Sequence, residues 1–164
     1  MKLNLGCGDR MMDGWINVDL YFPDADMKVD LFKFPWPWED NSIEAVAMFH
    51  FLEHFDDPRK AILETHRILK PNGLFWVKVP HAHNSNAHSI GHKCYFTWKT
   101  FQDLSSGIVP WYMWPQPKMF KERLYKCDVG LGILDWLASR YPHLYEKIGL
   151  LNPQEIEWQG EAIK

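Results

Sequence analysis

Short apolar runs bounded by glycines, prolines and acidic residues crowd the first third of the chain. Residues 2–5 form one such run and end on Gly6, and Trp15-Ile16-Asn17-Val18-Asp19-Leu20 alternates apolar with polar positions as a strand does. A third run, Met27-Lys28-Val29-Asp30-Leu31, precedes the turn-forming stretch Pro35-Trp36-Pro37-Trp38-Glu39-Asp40-Asn41-Ser42. After it, Ile43-Glu44-Ala45-Val46-Ala47-Met48 reads as a buried strand.

The period then changes. Asp56-Asp57-Pro58 supplies an N-cap and a first-turn proline, Ala61, Ile62, Thr65, Ile68 and Leu69 recur at helical spacing, and Lys70-Pro71-Asn72-Gly73 is the stop. Leu74–Val79 follows as another strand, so strand, helix and strand alternate as in a parallel sheet covered by helices. Further on, the pattern predicts a helix over Thr97–Leu104, a Pro/Trp-rich loop over Val109–Lys118, a strand over Phe120–Cys127, a helix over Ile133–Tyr141 and a last strand within Glu155–Ile163.

Composition narrows the class. A chain of 164 residues has room for one domain spanning 1–164. A net charge of −3 without long runs of one sign lacks the footprint of a nucleic-acid binder. No segment is apolar over the ~20 residues needed to span a bilayer, and the opening residues lack the apolar core of a signal peptide. Cys7, Cys94 and Cys127 are odd in number and widely spaced, which favours reduced thiols and a cytoplasmic setting. Abundant aromatics make a homodimer as plausible as a monomer.

The chemistry starts at Gly6-Cys7-Gly8, a turn placed directly after the first strand, where a ligand can approach backbone amides. Asp19 closes the second strand, where a carboxylate can accept from both ribose hydroxyls of a nucleoside, and Asp30 follows at a place suited to an adenine amino group.

The series Leu3-Asn4-Leu5-Gly6-Cys7-Gly8, Gly14-Trp15-Ile16-Asn17-Val18-Asp19, Pro35 to Glu44, Phe51-Leu52-Glu53-His54, Arg67 to Gly73 and Val79-Pro80 resembles the small branch of the class I S-adenosylmethionine-dependent methyltransferases. The likeness covers roughly half the chain in order. It implies an α/β doubly wound, mostly parallel seven-stranded sheet with helices on both faces, the Rossmann-like methyltransferase fold. It also implies S-adenosylmethionine as cofactor: Gly6 and Gly8, with Leu5 and Cys7, pass the methionine part, Asp19 with Leu20 holds the ribose, and Asp30 with Leu31 holds the adenine. Phe49 and His50 would border the sulfonium and a small-molecule substrate.

Two features depart from that family. The third glycine of the loop is replaced, the chain reading Gly8-Asp9-Arg10, and the stretch from Gly8 to the second strand is too short for an ordinary crossover helix. Any substrate lid must then come from 81–118, with Pro110-Trp111-Tyr112-Met113-Trp114-Pro115 the leading candidate.

Seven of the eight histidines lie between His50 and His92. A hydroxyl acceptor calls for a general base, for which His54, His88 and His92 are the candidates, the last two preferred as a pair. His50-Phe51-Leu52-Glu53-His54 also matches H-x-x-E-H, a zinc-hydrolase signature that needs both histidines on one helix, whereas here the motif begins at a strand end. His81, His83, His88, His92 and Cys94 offer zinc-type donors but no tight spacing. The expectation is a methyltransferase without a metal; the alternatives are a catalytically silent cofactor-binding module serving a partner protein, or the hydrolase.

Overall fold

The computed structural model describes residues 1–107, 118–130, 133–144 and 153–164. Alternation in Lys2-Leu3-Asn4-Leu5 sends Leu3 and Leu5 into the core and turns Asn4 to the other face of the sheet. This strand, β1 (Lys2–Leu5), lies between β2 (Ile16–Val18) and β3 (Ile43–Phe49), parallel to both, and β4 (Leu69–Pro80) lies parallel to β3. At the far edge, β5 (Phe120–Asp128) pairs antiparallel with β6 (Glu155–Ala162), which pairs antiparallel with β4. The order is β2-β1-β3-β4-β6-β5, and among the described residues only β6 runs against the rest.

The crossover from β3 to β4 is α1 (Pro58–Ile68), begun by Pro58 and capped by the Asp57 carboxylate, which accepts from the Arg59 amide. It ends at Ile68, two residues before the expected stop, because Pro71 disfavours helix at Lys70. The Lys70–Gly73 turn is instead looped out of β4, since Ile43 pairs with Leu69 and Ala45 with Leu74. Next, α2 (Trp98–Ser106) starts where the Thr100 hydroxyl accepts from the Thr97 amide and stops at Gly107, whose φ of +67° suits a helix end. Against β5 packs α3 (Ile133–Arg140), burying Ala138 on Cys127 and Val129.

One apolar core joins Ala61, Ile62 and Ile68 of α1 and Phe101 and Leu104 of α2 to Val46, Met48, Phe75, Val77 and Trp158 of the sheet. Phe101 stacks on Trp158 with centroids 5.4 Å apart, and complete burial of rings such as Phe75 and Phe120 contributes roughly 1.5–3 kcal/mol each.

The seventh strand expected at Met27–Leu31 does not form: the run contributes a single bridge, Met27 to Val18, and six strands are present among the described residues. Backbone bonds from Met27 to Asn17 and from Asp19 to Met27 make the bridge. Beyond it Asp30 turns the chain, accepting from the Phe32 amide on its side chain and from Lys33 on its carbonyl, so no further ladder can develop.

Between β1 and β2, residues 6–15 contain no helix. The sheet face beneath them carries Asn4 and Asn17 where a packed helix would require apolar residues. The Asn4 amide donates to the Arg10 carbonyl at 2.7 Å and to Asn17 Oδ1 at 2.9 Å, while Asn17 Oδ1 also accepts from the Met12 amide. The expected lid, Pro110–Pro115, lies outside the described residues. No helix among the described residues is long and apolar enough to cross a membrane.

Candidate functional site

Both cavities of interest open at the carboxyl ends of the parallel strands, where ligands of open α/β sheets bind. Gly6 turns with φ of +66°, and the amides of Gly6 and Cys7 both donate to the Val18 carbonyl, folding the loop over the end of β2. That brings Gly8 to Asp19: the Gly8 amide donates to Asp19 Oδ2 at 3.1 Å, and Oδ1 accepts from Tyr21 and Phe22 at 2.8 and 2.9 Å. Burial alone would raise the Asp19 pKa, but the three amides from Phe22, Tyr21 and Gly8 outweigh it and hold it below the usual carboxylate range. With Oδ1 doubly bonded and Oδ2 singly, one lone pair of Oδ2 stays open to a ligand hydroxyl.

Asp19 lines a narrow cleft of about 50 Å³ together with Gly6, Leu20, Asp30, Leu31 and Phe51. Phe32 and Phe51 of its wall pack with Phe55 behind them, the three ring centroids 4.9–5.6 Å apart. A carboxylate acceptor beside aromatic and aliphatic walls suits a nucleoside, but the cleft is far smaller than ordinary ligand pockets. A Cβ on Gly6 would stand 2.2 Å from the Phe51 ring, so that ring already occupies the space over the glycine, whereas the face of Gly8 is open. The residues fit a nucleoside cofactor once Phe51 and the half-exposed Phe32 rotate.

On the other side of the same segment lies a cavity of about 390 Å³ lined by Arg10, His50, Glu53, Asn86, His92 and Glu155, with Ser89, Asp128, Gln154 and Pro80 completing it. His50 sits at the end of β3 in the left-handed region with φ of +54°, a conformation that costs a non-glycine residue of order 1 kcal/mol and collects at functional sites. Its Nε2 donates to Glu155 Oε2 at 2.6 Å, and Nδ1 stands 3.5 Å from Glu53 Oε1. The Glu155 bond first, then Glu53, push the imidazole up to about 9. Glu155 is shifted down: burial opposes ionisation, and the His50 bond overcomes it.

The expected cofactor residues Gly6, Asp19, Leu20, Asp30 and Leu31 thus come together in the cleft. Leu5 is a core residue and Cys7 is buried beside Met11, its thiol pushed up to about 11 by burial and by Asp19. His50 lines the cavity, whereas Phe49 is turned onto Trp76 at 4.8 Å. Of the three candidate bases, His92 lines the cavity, His54 packs edge-on against His92 at 4.9 Å, and His88 bonds the Ala82 carbonyl beside Tyr95. The structure therefore pairs His92 with His54 and separates it from His88.

The H-x-x-E-H set does not converge as a metal site. His50 is at a strand end bonded to Glu155, and His54 is in a 3-10 turn, Leu52–His54, so no helix carries both. Sequence reasoning missed Arg10 and Glu155. The first was signalled by the departure from the third glycine; the second had no local signal, because it reaches the site only through the pairing of β6 with β4.

Residues 20–77 match the family model of the methyltransferase domain. A search among curated protein sequences gives no match. Among solved structures the chain is similar to an S-adenosylmethionine-dependent methyltransferase from Mesorhizobium loti, with 16% identity, TM-score 0.60, and coverage of 98% of this chain and 89% of that one. A counterpart from Archaeoglobus fulgidus gives 15% identity, TM-score 0.59, and coverage of 98% and 85%. A chain in a complex of the Haloferax volcanii Trm112 methyltransferase activator gives 16% identity, TM-score 0.59, and coverage of 99% and 82%.

Proposed function

We propose, on the match over residues 20–77 and the similarity of fold, that the chain is a class I S-adenosylmethionine-dependent methyltransferase and that it methylates a small or medium-sized polar metabolite on a hydroxyl or amine. The observation that carries this reading is the use of consecutive residues: Phe51 walls the nucleoside cleft and His50 walls the larger cavity. A cofactor in the first can present its methyl group to an acceptor in the second. All the lining of the larger cavity except Pro80 is polar or charged, which suits a hydroxyl-rich acceptor such as a saccharide.

Gly6, Gly8, Asp19, Leu20, Asp30 and Leu31 hold the cofactor, with Leu5 and Cys7 supporting the loop. The sulfonium it brings is already activated, so alignment of acceptor and methyl supplies most of the acceleration. Arg10, His50 and Glu155 orient the acceptor. His92, backed by His54, draws on its hydroxyl, with His88 in the same segment. Asn86, Ser89 and His92, within the expected lid range 81–118, border the acceptor. Cysteines odd in number and widely spaced support a reducing, cytoplasmic setting.

Calorimetry with S-adenosylhomocysteine, followed by turnover across hydroxyl and amine acceptors, tests the reading. Well-folded protein that binds no S-adenosylhomocysteine would overturn it. A second reading, a cofactor-binding module serving a partner protein, is favoured by the activator complex among the similar structures; binding without turnover until a partner is added would select it.

A further inference from the structure

Glu53 is 1% exposed, and neither of its carboxylate oxygens has a hydrogen-bond partner. A buried carboxylate without hydrogen bonds is costly unless a cation answers it. His50 Nδ1 stands at ion-pair distance from Oε1, 3.5 Å, while its Nε2 holds Glu155 at 2.6 Å, so two carboxylates share one imidazolium charge. Two further histidines face the same carboxylate: one ligand atom each from Glu53, His54 and His92 lie within 4.8 Å of one another.

Three further features prepare these side chains. The Nδ1 atom of His92 is also buried without a partner. His54 Nδ1 lies 3.1 Å from the Gly91 carbonyl, which can only accept; the proton is therefore on Nδ1 and the lone pair on Nε2. That arrangement, a backbone carbonyl fixing the tautomer of an imidazole, is how metal-binding histidines are oriented. Finally, the amides of Lys93 and Cys94 both donate to the Glu53 carbonyl, fastening the segment that carries His92 across the turn that carries Glu53 and His54.

We propose that Glu53, His54 and His92 form a binding site for one divalent transition cation of the zinc class. Two imidazoles and one carboxylate are the donor set of open zinc sites, in which a fourth position is left for another ligand. Donor atoms on a tetrahedral ion stand about 3.4 Å apart, so the cluster closes by at most roughly 1.4 Å, within reach of side-chain rotation. Glu53 and His92 also line the 390 Å³ cavity, so the open position faces the acceptor. There the cation, taking the place of His92 as the group that acts on the hydroxyl, would hold an acceptor oxygen; this role rests on the methyl-transfer reading, whereas the site itself does not.

The test is a titration of full-length, metal-free protein with Co²⁺ alone, followed by visible absorption and then displacement by Zn²⁺. One equivalent bound with the intense absorption of a four- or five-coordinate ion is expected, weakened at least roughly 10-fold in both Glu53→Gln and His92→Ala and unchanged in His88→Ala. Circular dichroism of each metal-free variant separates lost binding from lost folding, and His54→Gln supplies a second ligand variant. Absence of a bound equivalent in folded protein, or binding that survives Glu53→Gln and His92→Ala, overturns the site. S-adenosylhomocysteine calorimetry on the same preparation reports the methyltransferase reading separately, so either can fail alone.

Discussion

Two carboxylates, Asp19 in the cleft walled by Phe51 and Glu53 in the larger cavity, are treated in opposite ways. Asp19 is partly open to solvent yet engaged by three backbone amides; Glu53 is buried and engaged by none. The first has its charge answered by its own loop and one lone pair left for a neutral hydroxyl. The second has only a share in the charge of His50, which it divides with Glu155. Hydrogen-bond accounting thus distinguishes a place for a nucleoside from a place for a cation, although both side chains end in the same group.

Removing the answered carboxylate gives the largest expected effect. Asp19→Ala takes away the ribose acceptor and the clamp on Gly8 together, a loss on the order of 2–3 kcal/mol, so S-adenosylhomocysteine affinity in calorimetry should fall roughly 30- to 150-fold. An undiminished affinity would break the comparison at its first term.

Gly6→Ala attacks the partition between the two sides. The added methyl meets the Phe51 ring and the backbone must hold φ of +66°, so urea unfolding should show destabilisation of roughly 2 kcal/mol. The double variant Gly6→Ala, Phe51→Ala should recover the steric part alone, leaving the backbone part.

A smaller effect concerns acid. The depressed Asp19 pKa means that its contribution to stability is present above the unfolded value of about 3.9 and is lost as pH falls through the lower folded value. Asp19→Asn lacks that contribution at every pH, so its stability in denaturant should decline less between pH 5 and pH 2 than that of the parent. Parallel declines would assign the acid sensitivity elsewhere.

The smallest expected effect is the sharpest test of independence. Glu53→Gln should leave S-adenosylhomocysteine affinity within about 2-fold of the parent, since sites without shared partners add. A large loss would show that Glu53 acts on the cofactor side of Phe51.

Much of this architecture was legible in the order of apolar runs, because a parallel sheet buried by helices imposes long apolar strands and one strongly periodic helix. The cleft residues Gly6 and Asp19 were legible for the same reason, each following a strand end directly, whereas Asp30 follows only the single bridge at Met27. The run at Met27–Leu31 misled because alternation reports which side chains are apolar, while Asp30 decided the backbone by turning it. Glu155 was invisible, since sheet pairing rather than sequence spacing carries it to His50. The choice of His92 over His88 likewise depended on backbone bonds from Lys93 and Cys94 to Glu53, which no periodicity announces.

The Asn4 and Asn17 amides have a consequence for folding fidelity. With only three residues, β2 has few ladder bonds to fix its alignment on β1, and apolar neighbours alone would tolerate sliding. A slip by one residue would set the Asn4 amide against Ile16 or Val18 and strand it in a dry interior. The amide pair therefore works as an indexing pin, excluding misaligned sheets where no helix between β1 and β2 exists to exclude them.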